Sequence, residues 1–169
     1  NVESLNELKK ICGLAKKLNK SVACALRVNP EVDAQTHPYI STALKESKFG
    51  IEFEQIEAAI EILKYQSLVE WVGLSAHIGS QIWELSAFDE AFSKIRNLYL
   101  SLKHKGWSLK RIDIGGGLAQ DYEAWAFEKE ETLFKSWSKL IDKHFADLGV
   151  KIQSEPGRFL VCHAGVLLT

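Results

Sequence analysis

Residues 68–117 read LVEWVGLSAHIGSQIWELSAFDEAFSKIRNLYLSLKHKGWSLKRIDIGGG, and this stretch decides the fold class. It opens with a nearly unbroken apolar run over 68–77, which is typical of a strand buried on both faces of a parallel sheet. Over 86–104 apolar residues recur every three or four positions, which predicts an amphipathic helix that ends near Gly106. A further strand is predicted over 109–114, directly before three glycines. The stretch is therefore a strand–helix–strand unit with parallel strands.

The same alternation continues on both sides of this unit. Helices are predicted over residues 5–18, 52–66 and 130–148, and strands over residues 21–28, 150–154 and 159–168. A long irregular segment over 29–50 follows the first strand. The pattern predicts an α/β fold of about four to five βα units with right-handed crossovers. No repeat or linker divides the chain, so residues 1–169 are assigned to one domain.

Composition excludes several classes of protein. Hydrophobic residues make up 46% of the 169 residues, which is enough for a core, and 21 Lys and Arg balance 22 Asp and Glu. A nucleic-acid partner is not expected, because such proteins carry a basic surface. No apolar stretch is long enough to cross a membrane. The three cysteines and five histidines lack the spacing of a metal site or a disulfide framework, so we expect no metal and a cytoplasmic location.

Polar or glycine-rich runs follow the predicted strands, and the strands begin with nothing comparable. The carboxyl ends of parallel strands lie at one edge of a sheet, where α/β proteins bind their ligands. The sequence therefore predicts one ligand site at this edge. The runs are R-V-N-P at 27–30, H-I-G-S-Q at 77–81, D-I-G-G-G at 113–117 and E-P-G-R at 155–158.

Gly115, Gly116 and Gly117 predict a site for an anion. Without Cβ atoms they allow backbone N–H groups to approach a phosphate closely, although a tight turn is the alternative interpretation. The run is neither G-x-G-x-x-G nor followed by G-K-[ST], so neither a dinucleotide nor a nucleoside triphosphate is indicated.

Four side chains in the other runs are candidates for contact with the same ligand. Glu155 and Arg158 are expected to face it together across a rigid Pro-Gly turn, and a structural ion pair is the alternative. His77 is expected at the mouth of the site beside the Ser80 hydroxyl, unless it is a satisfied core histidine. Arg27 leaves an apolar strand and needs an acceptor, which predicts that it points at an anion or a polar ligand atom.

With these runs in order, the sequence resembles the fold-type III pyridoxal-phosphate-dependent decarboxylases. The most specific part of the resemblance is a further run, H-P-Y-I-S-T-A-L-K-E-S-K-F-G-I at 37–51. It favours the branch of the family that decarboxylates meso-diaminopimelate to L-lysine over those that act on ornithine or arginine. The resemblance implies a partial (β/α)8 TIM barrel, an amino-acid substrate and a homodimer of the full-length protein.

The resemblance also implies that pyridoxal 5'-phosphate binds at the predicted site. His77 would stack on the pyridine ring, and Glu155 would keep the ring nitrogen protonated. Ser80 and the three glycines would hold the phosphate, Arg158 would lie by the phosphate and the substrate carboxylate, and Arg27 would lie near the phenolic oxygen. The implied cofactor-binding set is Arg27, His77, Ser80, Gly115, Gly116, Gly117, Glu155, Gly157 and Arg158.

The family places its Schiff-base lysine before the matched region and its catalytic cysteine in a C-terminal β-domain after it. No catalytic residue is therefore expected in this chain, which would be the central part of a barrel and inactive alone. The absence of methionine agrees with a piece of a longer chain. Another fold-type III amino-acid or polyamine decarboxylase, or a non-catalytic pyridoxal-phosphate-binding protein, is the alternative.

Overall fold

A computed structural model describes residues 1–32, 49–122 and 127–165. The helices are α1 (Leu5–Leu18), α2 (Ile56–Leu63), α3 (Leu85–His104), α4 (Phe127–Phe145) and α5 (Gly157–Val161). The strands are β1 (Val22–Arg27), β2 (Val69–Ser75), β3 (Arg111–Asp113) and β4 (Lys151–Gln153). Two short 3-10 turns, Phe53–Gln55 and Cys162–Ala164, precede α2 and follow α5.

The four described strands form one parallel sheet in the order β1-β2-β3-β4. Each strand lies beside its neighbour in the sequence, and a helix separates it from the next strand. The doubly wound α/β folds reverse their strand order, whereas successive units of a (β/α)8 barrel do not. The predicted α/β class with parallel βα units is therefore confirmed. Val2 adds a parallel bridge to Leu26 on the other side of β1.

Helix α1 begins and ends where its sequence predicts. The Ser4 hydroxyl accepts a hydrogen bond from the N–H of Glu7 at 3.2 Å, which satisfies a donor that the helix leaves free. Asn19 adopts a left-handed conformation (φ 49°) and its N–H caps the last carbonyls. The apolar stripe buries Leu8, Cys12 and Ala15 against the sheet and its neighbours. Local sequence signals thus determine both ends of this helix.

Helices α3 and α4 pack against each other through aromatic rings. Phe92 and Phe145 meet edge to face with ring centroids 5.3 Å apart, and Phe88 approaches Trp137 at 6.1 Å. All four side chains are nearly fully buried. An ion pair adds to this packing, since the guanidinium of Arg96 in α3 contacts both carboxylate oxygens of Asp147, just after α4, at 2.5 and 2.6 Å.

The strand predicted over 159–168 is wrong. Gly157 begins a short helix, α5, and a 3-10 turn continues it to Ala164, while residues 166–169 lie outside the described residues. Leu160 and Val161 are 71% and 62% exposed, so the apolar run is not a buried strand. A short apolar run does not distinguish strand from helix by periodicity. The predicted turn is present at Pro156, because the Gly157 N–H donates to the Glu155 carbonyl at 2.8 Å, but Gly157 itself is helical and has no positive φ.

The described residues also bear on membrane, disulfide and metal chemistry. No helix among them has both the length and the apolar content needed to cross a membrane. Cys12, Cys24 and Cys162 are free thiols, and burial raises the pKa of the first two. Nowhere in 1–32, 49–122 or 127–165 do three or more His, Cys, Asp or Glu side chains gather as a metal site would require.

Candidate functional site

The carboxyl edge of the sheet carries a cavity of about 230 Å³. Three predicted site residues from three different strand ends line it: Arg27 at the end of β1, His77 after β2 and Glu155 after β4. Parallel pairing brings them together, although up to 128 positions separate them in the sequence. Other residues of the lining are Asn1, Glu3, Ser75, Ala76 and Asp113.

The His77 ring is held by the glycine run. Its Nδ1 accepts a hydrogen bond from the Gly116 N–H at 3.2 Å, so the proton of the neutral ring lies on Nε2. Burial lowers the pKa of His77, and the charge of Arg27 lowers it further, whereas Asp113 and Glu3 oppose the shift. The ring is therefore uncharged near neutral pH. Such a ring suits stacking against a flat ligand.

Glu155 and Asp113 form a carboxyl pair in the cavity. Glu155 is exposed as a residue, but partial desolvation of its carboxyl raises its pKa, and the charge of Asp113 and a hydrogen bond to it raise the pKa further, against the opposing charge of Arg27. Asp113 is buried, and its Oδ1 accepts a hydrogen bond from the Gly115 N–H at 3.0 Å. The repulsion between the two carboxyls when both are ionised is the reason that Glu155 holds its proton more tightly. Asp113 stands in the D-I-G-G-G run, although no role is predicted for it from the sequence.

Arg27 has an acceptor within the chain. Its Nη1 donates to Oε1 of Glu3 at 2.8 Å, and its guanidinium lies 5.4 Å from the ring centroid of Phe49. Its side chain is 18% exposed, so part of the guanidinium still faces the cavity. The acceptor that a buried arginine requires is thus supplied in part by Glu3. No pattern in the sequence pointed to Glu3.

Arg158 meets two hydroxyl groups, and it is not part of the cavity lining, nor are Ser80 and the three glycines. Its Nε donates to the Ser80 Oγ at 3.1 Å, and its Nη1 donates to the Tyr122 hydroxyl. Within the described ranges no carboxylate lies at ion-pair distance from Arg158, so the structural ion pair with Glu155 does not form there. A guanidinium flanked by hydroxyls and left without a carboxylate suits a ligand that brings several anionic oxygens.

The glycine run is required first by packing. A Cβ on Gly116 would lie 2.1 Å from the carbonyl oxygen of Glu155, and one on Gly115 would lie 2.4 Å from that of Ala76. Gly117 has a φ of +105°, and its Cβ would meet the Gly79 carbonyl oxygen at 2.4 Å. These backbone contacts exclude side chains whether or not an anion is bound. The tight-turn interpretation of the run therefore accounts for part of its composition.

The glycine amides differ in what they have left to offer a ligand. The Gly115 and Gly116 N–H groups already donate to Asp113 and His77. In the described part of the chain, the Gly117 N–H donates to no protein acceptor. Gly117 is therefore the glycine whose amide is available for an anion. Gly157 stands apart, because it is the first residue of α5 and a Cβ there would meet nothing within 4 Å.

Comparison with curated proteins gives consistent matches over the whole chain. A family model described as "Pyridoxal-dependent decarboxylase, pyridoxal binding domain" matches residues 1–162. A diaminopimelate decarboxylase of Aquifex aeolicus is 40% identical over 169 residues, which are 100% of this chain and 40% of that protein. One from Archaeoglobus fulgidus is 41% identical over 172 residues, covering 100% of this chain and 41% of that protein. The chain thus spans about 40% of the length of these relatives.

Comparison with solved structures points the same way. The diaminopimelate decarboxylase of Helicobacter pylori, crystallised with L-lysine, superposes with a TM-score of 0.76 at 35% sequence identity. The match covers 95% of this chain and 40% of that one.

Proposed function

The chain belongs to the pyridoxal-dependent decarboxylases, as their pyridoxal-binding domain, and on this premise we propose that it is the cofactor-binding part of a longer enzyme that converts meso-diaminopimelate to L-lysine. The curated relatives at about 40% identity support the substrate, and their greater length supports the longer chain. The observation that carries the proposal is the contact between Arg158 and Ser80, which belong to the same two runs, 155–158 and 77–81, as the cavity residues Glu155 and His77.

The residues present fit pyridoxal 5'-phosphate. Arg158, the Ser80 hydroxyl and the Gly117 N–H offer donors that the protein does not neutralise with a carboxylate, and a phosphate would accept from them. The uncharged His77 ring offers a face to a pyridine, and Glu155 offers a carboxyl to its nitrogen. Gly115 and Gly116 would act mainly through the shape of the loop, because their N–H groups are already bonded.

The chemistry of such a site divides between the cofactor and the chain. When bound, pyridoxal 5'-phosphate supplies an electron sink for the carbanion that remains as CO2 departs. As a carboxylate, Glu155 would accept a hydrogen bond from the protonated ring nitrogen, and the positive charge of that nitrogen would offset the repulsion between Glu155 and Asp113. Arg27, oriented by Glu3, would hold a cationic donor towards the phenolic oxygen.

The proposal includes a cytoplasmic homodimer. Three free thiols support a reducing compartment, since disulfides are rare there. The dimer and the location of the covalent lysine and the cysteine outside residues 1–169 rest on the family resemblance alone.

The full-length protein loaded with pyridoxal 5'-phosphate is expected to release CO2 from meso-diaminopimelate and to form L-lysine. Ornithine, arginine and lysine, offered at the same concentration, are the control substrates and should not release CO2. Turnover of one of these instead would leave the family intact and contradict the substrate. Cofactor binding without any release of CO2 would favour the alternative, a non-catalytic carrier.

Replacing Arg158 with alanine should weaken retention of pyridoxal 5'-phosphate by about tenfold or more, because a charge-assisted hydrogen bond to phosphate is lost. Equilibrium dialysis of the full-length protein, followed by cofactor absorbance, measures the dissociation constant. Arg158→Lys keeps the positive charge but loses the planar arrangement of donors. Its dissociation constant should therefore lie between those of the wild type and Arg158→Ala. Wild-type retention in Arg158→Ala would remove Arg158 from the phosphate site.

A further inference from the structure

The side chain of Gln81 pairs with the backbone of Gln120. Its Nε2 donates to the Gln120 carbonyl at 2.9 Å, and its Oε1 accepts from the Gln120 N–H at 2.8 Å. The carboxamide thus satisfies both backbone groups of one residue. Gln81 has a φ of +60°, a left-handed backbone conformation that residues other than glycine and asparagine rarely adopt. These two hydrogen bonds hold the loop after β2 to the loop after β3.

The side chain of Gln120 extends the same connection to a third loop. Its Nε2 donates to the carbonyl oxygen of Phe159 at 3.0 Å, in the helix α5 that follows β4. Gln120 is only 3% exposed, so this contact is made away from solvent. Two glutamine side chains therefore link the segments that follow β2, β3 and β4.

Each linked segment also carries one of the three donors proposed for the phosphate group. Ser80 directly precedes Gln81, Gly117 lies three residues before Gln120, and Arg158 directly precedes Phe159. The Ile82 N–H donates to the Gly117 carbonyl at 2.9 Å, which repeats the link between the first two segments. The contact between Arg158 and Ser80 at 3.1 Å then closes a ring of three segments. The spacing of the donors depends on these links.

We propose that Gln81 and Gln120 are positioning residues that hold Ser80, Gly117 and Arg158 at the spacing that a phosphate group requires. The proposal rests on the proposed function, since it assigns the phosphate of pyridoxal 5'-phosphate to this edge. Neither glutamine needs to touch the ligand. A donor set fixed before binding loses less freedom when the anion arrives, so its affinity is higher. A purely structural role would instead stabilise the loops without distinguishing phosphate from any other part of the ligand.

The test compares pyridoxal 5'-phosphate with pyridoxal, which has the same ring and no phosphate. In the full-length protein, Gln81→Ala should raise the dissociation constant of the phosphorylated form by about tenfold, because two hydrogen bonds that order its donors are lost. The constant for pyridoxal should stay within about twofold of wild type. Gln81→Met keeps the length of the side chain without its hydrogen bonds, so it should change the two dissociation constants as Gln81→Ala does. Gln66→Ala, in the turn before β2 at the opposite edge, is the matched control.

Three results would count against the inference. Equal weakening of both ligands by Gln81→Ala and Gln81→Met would assign Gln81 a general structural role. Unchanged constants for both ligands would show that the ring of segments does not depend on it. A wild-type protein that binds pyridoxal as tightly as its phosphate would overturn the proposed function, and the inference would fall with it.

Discussion

Replacing Glu155 with glutamine in the full-length protein should lower the rate of decarboxylation by about a hundredfold or more, since a preorganised charge at the reacting system is lost. Glutamine has nearly the same shape but cannot carry the negative charge that Glu155 would place beside the ring nitrogen. The turnover number under saturating substrate measures the effect, and the cofactor content of the purified variant shows that binding persists. Glu70→Gln, on the exposed face of β2, is the matched control and should keep wild-type turnover.

The same substitution should act in the opposite direction on stability when the cofactor is absent. The pKa of Glu155 is raised in the folded state, so the folded protein holds this proton more tightly than the unfolded chain does. Stability is therefore lost as pH rises from the ordinary value of 4.5 towards the folded pKa, and it stays lower above that value. Glu155→Gln removes this loss, so the cofactor-free variant should unfold at the same or a higher denaturant concentration at pH 7. Full activity in Glu155→Gln would contradict the assigned role.

Replacing Gly116 with alanine should destabilise the full-length protein by about 2–3 kcal/mol, because the added methyl group overfills a packed site. The Cβ would lie 2.1 Å from the Glu155 carbonyl oxygen and 2.8 Å from its carbon, and these are backbone atoms that cannot rotate away. The same shift would displace Glu155 and weaken cofactor binding. The midpoint of thermal unfolding, with and without pyridoxal 5'-phosphate, measures both effects.

Gly13→Ala is the matched control for this prediction. Gly13 lies inside α1, and a Cβ there would meet nothing within 4 Å. Alanine is favoured over glycine within a helix by about 0.5–1 kcal/mol, so this variant should unfold at a slightly higher temperature. If Gly116→Ala and Gly13→Ala unfold at the same temperature, the steric account of the glycine run is wrong.

Local patterns predicted most of the regular structure. The α1 prediction over 5–18 matches the observed bounds, because Ser4 and Asn19 end the helix through contacts within a few residues. The predicted helix over 86–104 differs from α3 by one residue at its start. The strand predicted over 159–168 failed, since the apolar residues there carry no period and part of the run is exposed. Residues 37–48 of the most specific motif lie outside the described residues.

The carboxyl-edge rule let the sequence assign Arg27, His77 and Glu155 to one place, because parallel strand ends converge whatever their separation along the chain. Their roles towards the cofactor remain predictions. Contacts such as those of Glu3 with Arg27, Asp113 with Glu155 and Gln81 with Gln120 left no such signal. The hydrogen bonds of Glu3 and Gln81 depend on distances of 2.8–2.9 Å between groups on different segments.

Residue order alone therefore determined the α/β class, the edge at which the site lies and the residue types that chemistry there would use. Those features follow from hydrophobic periodicity and from the direction of the strands, and both are determined by residues that are close together in the sequence. Only the tertiary structure decided which carboxyl faces Glu155, which glycine amide stays available and which glutamine joins the loops. Each depends on the short-range geometry of groups far apart in sequence, and short-range forces act only once the folded backbone has set those distances.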